Sequence, residues 1–335
     1  MKKRLILLTL ILSVLAATIG CGHKNSTSDM TPEDILKVLN VKIHKHPKDD
    51  NLYYDRAKIF MDLGRVNEAI ADLSRAIALD GKKVKYHLLL SDAYFANGSP
   101  DDSRRSLQRV LELDPDNQEA HLKYGEVSYY SKDFDRAMQE LSSVTAKDPN
   151  NRTALFMKSF IYLEKNDPDT GAAVTLLNKI CNLYPDYAPA FEQLGVLYSI
   201  HHDGLAIEYL STAHRLDPKN PNILYSMAMF YQELNQMDKA EELYKQILDI
   251  DADYKDAWHN RGYIQMFTYG DFEVAVEYLT RAIQADSNFI EAWTNRGCAY
   301  ELMGDNKRAL DDFRTALQID HTFQPAIDGL DRIRH

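Results

Sequence analysis

Glycine and proline are scarce in this chain, with 14 Gly and 11 Pro in 335 residues, and no low-complexity tract occurs. Apolar residues make up 45% of the sequence, which is enough to bury a continuous core. Disordered segments combine low hydrophobicity with a high content of proline, glycine and charge. The composition therefore argues against broad disorder.

Positive charge is also in short supply, because 39 Lys and Arg face 50 Asp and Glu, which gives a formal net charge of −11. Proteins that bind nucleic acid need Lys and Arg to neutralise phosphates. The sequence thus argues against nucleic-acid binding. An acidic surface is compatible with solubility and with partners that carry basic segments.

The motifs of catalysis are missing as well. The sequence contains no HExxH, no Walker phosphate loop, no GxSxG and no paired CxxC. Residues 201–203, His-His-Asp, form a local cluster of metal-ligand types, but a structural zinc site needs four converging ligands. We expect a protein that is not an enzyme, with no metal site, no cofactor and no small-molecule substrate.

A targeting segment occupies residues 1–20, where the basic residues 2–4 precede an apolar run over residues 5–17. A run of roughly 13 residues is too short for a comfortable transmembrane helix and is typical of a signal peptide. The sequence Thr18-Ile19-Gly20-Cys21 resembles a bacterial lipobox, although Thr18 stands where Leu is usual. The resemblance implies a lipoprotein whose lipid is attached to Cys21. The alternative is an ordinary secretory signal followed by an unmodified cysteine.

A polar tether, residues 21–30, follows this segment. Nine flexible residues have a root-mean-square span of only about 15–18 Å, so the folded part should lie close to the membrane. In the lipoprotein family, Asp directly after the lipidated cysteine favours the inner membrane. Gly22 therefore implies sorting to the outer membrane, facing the periplasm, in an organism with two membranes.

One phrase recurs along the rest of the chain, most clearly as Asp-Ala-Trp-His-Asn-Arg-Gly at 256–262 and Glu-Ala-Trp-Thr-Asn-Arg-Gly at 291–297. A second phrase follows each copy, at 274–282 and 308–316. Apolar residues spaced by three and four predict two amphipathic helices in each repeat, and a period of this size indicates a stack of small units. Aligned on both phrases, the repeats are 50–83, 84–117, 118–151, 152–187, 188–220, 221–254, 255–289 and 290–323.

Small residues recur at one position of each first helix, and they predict a close approach of the two helices. They are Ala57, Ser91, Gly125, Ser159, Gly195, Ala228, Gly262 and Gly297. Ala recurs in the second helices, whereas the second repeat departs with Ser103. Gly64, Gly98, Gly270 and Gly304 are predicted to form the turns within repeats, so that differences in repeat length are confined to turns.

This pattern resembles the tetratricopeptide repeat over residues 50–323. The resemblance implies an all-α fold, a right-handed superhelical solenoid of about eight helix-turn-helix repeats in which the first helices line a concave groove. Capping helices are expected at 31–49, where Thr31 precedes Pro32, and at 324–335. Cys181 and Cys298 lie in different repeats, separated by six helices of about 8–10 Å spacing, and are expected not to pair.

The family's groove positions imply which residues contact a partner. Asn260 and Asn295 occupy the position at which an amide can bind the main chain of an extended peptide. The alternative for the apolar members is burial between neighbouring repeats. The predicted groove residues are Tyr54, Lys58, Lys85, Phe95, Tyr129, Phe156, Phe160, Tyr225, Met229, Asn260, Tyr263 and Asn295.

The predicted function is a membrane-anchored scaffold lipoprotein of the bacterial cell envelope. It holds other proteins, as extended segments of apolar and basic character, in the assembly or recruitment of envelope complexes, and it meets the membrane through its lipid only. One alternative is a glycan- or nutrient-binding lipoprotein, against which the lack of long insertions argues. Another is a secreted adaptor without lipid.

Overall fold

The computed structural model describes residues 30–334, and every regular element in that range is helical. The predicted signal peptide, Cys21 and most of the tether lie outside the described residues. The helices are α1 Pro32–Lys45, α2 Asp50–Asp62, α3 Val66–Leu79, α4 Val84–Ala96, α5 Pro100–Leu113, α6 Gln118–Tyr130, α7 Phe134–Lys147, α8 Arg152–Glu164, α9 Thr170–Leu183, α10 Ala188–Ser199, α11 Leu205–Leu216, α12 Pro221–Glu233, α13 Met237–Ile250, α14 Lys255–Ile264, α15 Phe272–Ala285, α16 Ile290–Leu302, α17 Asn306–Ile319 and α18 Gln324–Arg334.

Two compact units divide the chain, one ending at Leu183 and the other beginning at Tyr184. Unit 1 contains α1 and four helix hairpins, and unit 2 contains four hairpins followed by α18. Within each unit, short turns make the helices of a hairpin antiparallel, and each hairpin packs against the next. The predicted all-helical repeat fold is confirmed.

The first helix of unit 1 begins as the sequence predicts. The Thr31 hydroxyl accepts a hydrogen bond from the Asp34 amide at 3.2 Å, and Pro32 opens the helix where no amide hydrogen is needed. Leu36 and Leu39 are buried against the following hairpin. Helix α1 thus covers an apolar face of the first repeat, as a neighbouring repeat would.

The two helices of each hairpin cross where the sequence places its small residues. A Cβ atom added to Gly195 would lie 2.5 Å from Leu210 Cγ, and one added to Gly262 would lie 2.7 Å from Leu279 Cγ. Neither contact can form unless the leucine side chain or the helices shift. The second helices supply fully buried alanines at the crossing, namely Ala69, Ala137, Ala173, Ala206, Ala240, Ala275 and Ala309.

The turn within most hairpins is a left-handed helix ending. Gly64, Gly98 and Gly304 have φ between 69° and 80°, and the next amide bonds the carbonyl five residues earlier, as in Asp305 N to Tyr300 O at 2.9 Å. This arrangement is a Schellman motif, which satisfies carbonyls that the helix end leaves open. Lys132, His202 and Asn235 adopt the same left-handed φ in other repeats.

The two longest repeats absorb their extra residues in different ways. In the fourth repeat the closing bond runs from Asp169 N to Tyr162 O, through a longer turn. In the seventh it runs from Asp271 N to Gln265 O, six residues apart, because residues 265–269 form a π turn at the end of α14. The prediction that length differences lie in turns is thus corrected for the seventh repeat, where the first helix itself takes the extra residue.

Replacing Ser103 with Ala should stabilise the protein by about 1 kcal/mol, because the Ser103 hydroxyl is buried with no hydrogen-bond partner among the described residues. Ala occupies this position in the other seven repeats. Ser106→Ala is the matched control in the same helix, since Ser106 Oγ donates to Asp102 O at 3.0 Å. Thermal unfolding should show a gain for Ser103→Ala only. Equal midpoints for the two variants would contradict this account.

Candidate functional site

The repeated phrase separates into residues that fix each first helix and residues that face the groove. The indole nitrogens of Trp258 and Trp293 donate to Ala252 O and Ser287 O, at 2.8 and 2.9 Å, each six residues earlier. In unit 1, Tyr53 donates in the same way to Pro47 O at 3.1 Å. These side chains fasten the start of a first helix to the preceding turn.

The arginine of the phrase also acts inside the fold. Arg296 forms two hydrogen bonds of 2.8 Å with the carboxylate of Asp312 in the second helix of its own hairpin. Arg261 instead donates to Glu241 in the preceding hairpin at 2.9 Å. Both arginines therefore form ion pairs within the fold. Of the repeated phrase, only the asparagine and its neighbours remain as candidates for the groove.

The predicted groove residues of unit 2 lie along one chain of hydrogen bonds. Asn295 Nδ2 donates to His259 Nε2 at 2.9 Å, and His259 Nδ1 donates to Asn260 Oδ1 at 3.3 Å. Asn260 Nδ2 donates in turn to Tyr244 Oη at 3.0 Å and to Tyr225 Oη at 3.2 Å. The direction of the bonds requires a neutral His259 protonated on Nδ1.

These hydrogen bonds determine which amide groups of Asn260 and Asn295 remain available to a binding partner. Asn260 is buried, and its amide group already serves His259 and the tyrosines. Asn295 is only half-buried, and its Nδ2 donates to His259. No described residue donates a hydrogen bond to its amide oxygen, which is therefore available to a binding partner. Burial lowers the pKa of His259, which keeps the ring neutral and the chain of bonds intact.

An open depression of about 300 Å³ lies over these residues in unit 2. Tyr263, which is 38% exposed, and Glu291 stand on its wall, while Phe323 and Pro325 close it beside α18. His259, Gln232 and Phe323 were not among the predicted groove residues. His259 and Gln232 stand at groove positions of their helices, whereas Phe323 precedes the closing helix and only the fold brings it here. The lining is His259, Asn260, Tyr263, Gln232, Glu291, Thr294, Asn295, Phe323 and Pro325.

The predicted residues at the start of unit 1 form a separate exposed cluster. Lys58 and Lys85 are exposed, and their ammonium groups lie 4.9 and 4.6 Å from the centre of the Tyr54 ring. Lys85 also donates to Asn51 Oδ1 at 3.1 Å. Cation–π contacts of this kind hold both lysines beside one aromatic ring.

The predicted aromatic residues in the middle of unit 1 lie within the core. Tyr129, Phe156 and Phe160 are all buried, and the two phenylalanine rings meet edge to face at 4.9 Å. Tyr129 donates to Glu164 of the next hairpin, while Phe95 is half-buried against Tyr130 at 5.5 Å. The three buried side chains are packing residues. This agrees with the alternative given above for the apolar groove residues, namely burial between neighbouring repeats. In unit 2, Tyr225 and Met229 are half-buried.

Two carboxyl groups on the groove side of unit 2 have raised pKa values. Glu192 is 1% exposed and its Oε1 has no hydrogen-bond partner among the described residues. Burial, helped by repulsion from Asp217, raises the pKa of Glu192 to about 8. Burial also raises the pKa of Asp256, with a further contribution from Glu291. With its pKa raised in this way, the buried Glu192 carboxyl keeps its proton near neutral pH.

No group of His, Cys, Asp and Glu within the described residues could hold a metal ion, and His201 and His202 are solvent-exposed. Cys181 and Cys298 are both free thiols. The described helices include none that is both long and apolar enough to span a membrane.

Comparison with protein families identifies the repeats. Models of the tetratricopeptide repeat match more than half of the chain, over residues 60–127, 94–158, 204–260, 255–289 and 290–323. The chain belongs to the tetratricopeptide repeat family. Tetratricopeptide repeats are scaffolds for protein–protein interaction, and proteins of this family bind other proteins or peptides.

Solved structures share the fold at low sequence identity. A tetratricopeptide repeat protein from Parabacteroides merdae has a TM-score of 0.57 and 15% identity, over 75% of this chain and 99% of that one. The APC/C hetero-tetramer Cut9–Hcn1 has a TM-score of 0.56 and 15% identity, over 93% of this chain and 61% of that one. At this identity the likeness concerns the fold alone.

A curated relative matches a shorter stretch of the chain. The mouse protein O-mannosyl-transferase TMTC1 is 28% identical over 120 residues, which are 34% of this chain. The chain spans only 13% of the length of that relative.

Replacing Glu192 with Gln should remove a pH-dependent loss of stability. Above its ordinary pKa of about 4.5 the carboxyl of the unfolded chain loses its proton while the folded one keeps it, so wild-type stability falls as pH rises toward 8. The slope is on the order of 1 kcal/mol per pH unit. In urea unfolding, the free energy of unfolding of Glu192→Gln should exceed that of the wild type by far more at pH 8 than at pH 5.

The control is Glu242→Gln, which changes an exposed carboxyl on α13. It should follow the wild type at both pH values. A Glu192→Gln advantage of the same size at pH 5 and pH 8 would refute the assignment of a raised pKa to Glu192.

Proposed function

We propose that this protein is a scaffold lipoprotein of the bacterial cell envelope that holds other proteins along the groove of its repeats and has no catalysis of its own. The observation that carries the binding role is the open depression in unit 2, where Asn295, Tyr263 and Glu291 present an amide, an aromatic ring and a carboxylate on one wall. An extended segment with basic and apolar side chains could use all three.

Electrostatics support the choice of a basic segment. The chain has a net charge of −11, and the pKa of Asp256 is raised partly by its neighbours Glu291 and Asp286. In unit 1, Lys58 and Lys85 both contact the Tyr54 ring, and Lys58 is already paired with Asp55 at 2.9 Å. Membrane attachment and an envelope location rest on the basic residues 2–4, the apolar run and the lipobox-like sequence ending at Cys21.

Site-specific photo-crosslinking in cells tests the binding role. A photoreactive amino acid at Tyr263, on the groove wall, should give discrete crosslinked products with other envelope proteins. The same amino acid at Lys245, an exposed position on α13, should give none, because that second helix lies outside the groove. Products of equal yield at both positions, or none at Tyr263, would count against a binding groove.

A Cys21→Ser arm in the same cells separates anchoring from binding. The wild type should incorporate a clickable fatty acid and fractionate with membranes, whereas Cys21→Ser should do neither. Purified Cys21→Ser protein should still capture the partners that crosslink at Tyr263. If the wild type incorporated no fatty acid, the lipoprotein assignment would be wrong, whereas the proposed binding role of the groove would be unaffected.

A further inference from the structure

The seventh repeat exposes an aromatic surface that no other described repeat has. Tyr263 and Phe267, here called the aromatic shelf, are 38% and 58% exposed, and Tyr269, two residues after Phe267, is 47% exposed. The Tyr263 and Phe267 rings pack together with centroids 4.6 Å apart. Large aromatic rings grouped on a surface are costly in water and are typical of contact sites.

The extra residue of the seventh repeat builds this shelf. Residues 265–269 form a π turn that ends at Gly270, which has a left-handed φ of 71°. The wider turn carries Phe267 and Tyr269 outward at the end of α14, and Tyr269 Oη donates to Asp238 in the preceding hairpin. π turns inside helices are rare and occur frequently at functional sites.

The shelf is continuous with the depression, because Tyr263 belongs to both. The carboxylates of Asp286, Asp256 and Glu291 all raise the pKa of Lys255. That lysine is paired with Asp286. Burial raises the pKa of Asp256, and repulsion from Glu291 and Asp286 raises it further, so negative charge is concentrated on this wall.

We propose that the aromatic shelf and the depression beside it form one recognition site for a peptide segment in which a Lys or Arg is followed within a few residues by an aromatic or large aliphatic side chain. The cation lies at the acidic wall and the apolar side chain lies on Phe267 and Tyr263. The proposal rests on the proposed peptide-binding function and assigns it a place and a sequence preference. The π turn sets where the apolar side chain is held.

A random twelve-residue peptide library displayed on phage tests this site with purified protein. Enriched peptides should combine a basic residue with a nearby aromatic or large aliphatic one. Synthetic copies of them, measured by fluorescence anisotropy, should bind Phe267→Ala roughly tenfold more weakly than the wild type. Glu291→Gln should weaken binding and reduce its dependence on salt.

Two further variants separate the shelf from general damage. Deleting Thr268 restores the 34-residue length of the neighbouring repeats and should weaken binding as Phe267→Ala does. Ile319→Ala removes another exposed apolar side chain of unit 2, on α17, and should leave affinity unchanged. Circular dichroism melts of all variants check that the repeats remain folded.

The outcomes distinguish this inference from the function on which it rests. Peptides that bind the wild type and Phe267→Ala equally well would overturn the shelf and leave peptide binding in the groove standing. A library that yields no binder would count against both. A wild-type dimer that becomes monomeric in Phe267→Ala by sedimentation would assign the shelf to a second copy of the chain and overturn the proposal.

Discussion

The close crossing of two helices is the constraint on which each hairpin of this protein depends. At Gly195 a single methyl group would meet Leu210 and the carbonyl of Ala206 at once, at 2.5 and 3.1 Å. Helices this close exclude water from their contact and gain dispersion along its length. The position of each first helix, and of the groove residues that it carries, depends on this close contact.

The crossing leaves the opposite side of each first helix free to vary. In unit 1 that side starts with lysines over the Tyr54 ring and continues with the buried Phe156 and Phe160. In unit 2 it carries the chain of bonds from Asn295 through His259 to Asn260. The groove side of the first helices therefore has different chemistry in the two units, although the packing within their hairpins is the same.

Sequence reasoning predicted the elements that packing demands. The small residues, the turn glycines and the Thr31 cap are each tied to one backbone geometry, so the pattern alone locates them. It could not separate Tyr263 from Phe160, because both stand at groove positions and only the distance between neighbouring hairpins decides exposure. It also missed Phe267, because a π turn follows from one inserted residue without changing the repeat's apolar pattern.

The chain of hydrogen bonds shows a further limit of pattern reading. Asn260 and Asn295 look equivalent in the repeated phrase, yet His259 precedes one and Thr294 the other. That difference places Asn260 inside a bonded network and leaves Asn295 half-buried at its end. Residues at equivalent positions of a repeat can thus have different roles, because their neighbours in the folded structure differ.

The central claim is that helix crossings hold the repeats together while the groove wall is free for recognition. Thermal unfolding of Gly195→Val and Tyr263→Ala compares the two directly. Gly195→Val should lower the melting temperature by several degrees, because overpacking a helix contact costs about 1–3 kcal/mol. Tyr263→Ala should melt close to the wild type. A Tyr263→Ala protein that melts as low as Gly195→Val would contradict the account.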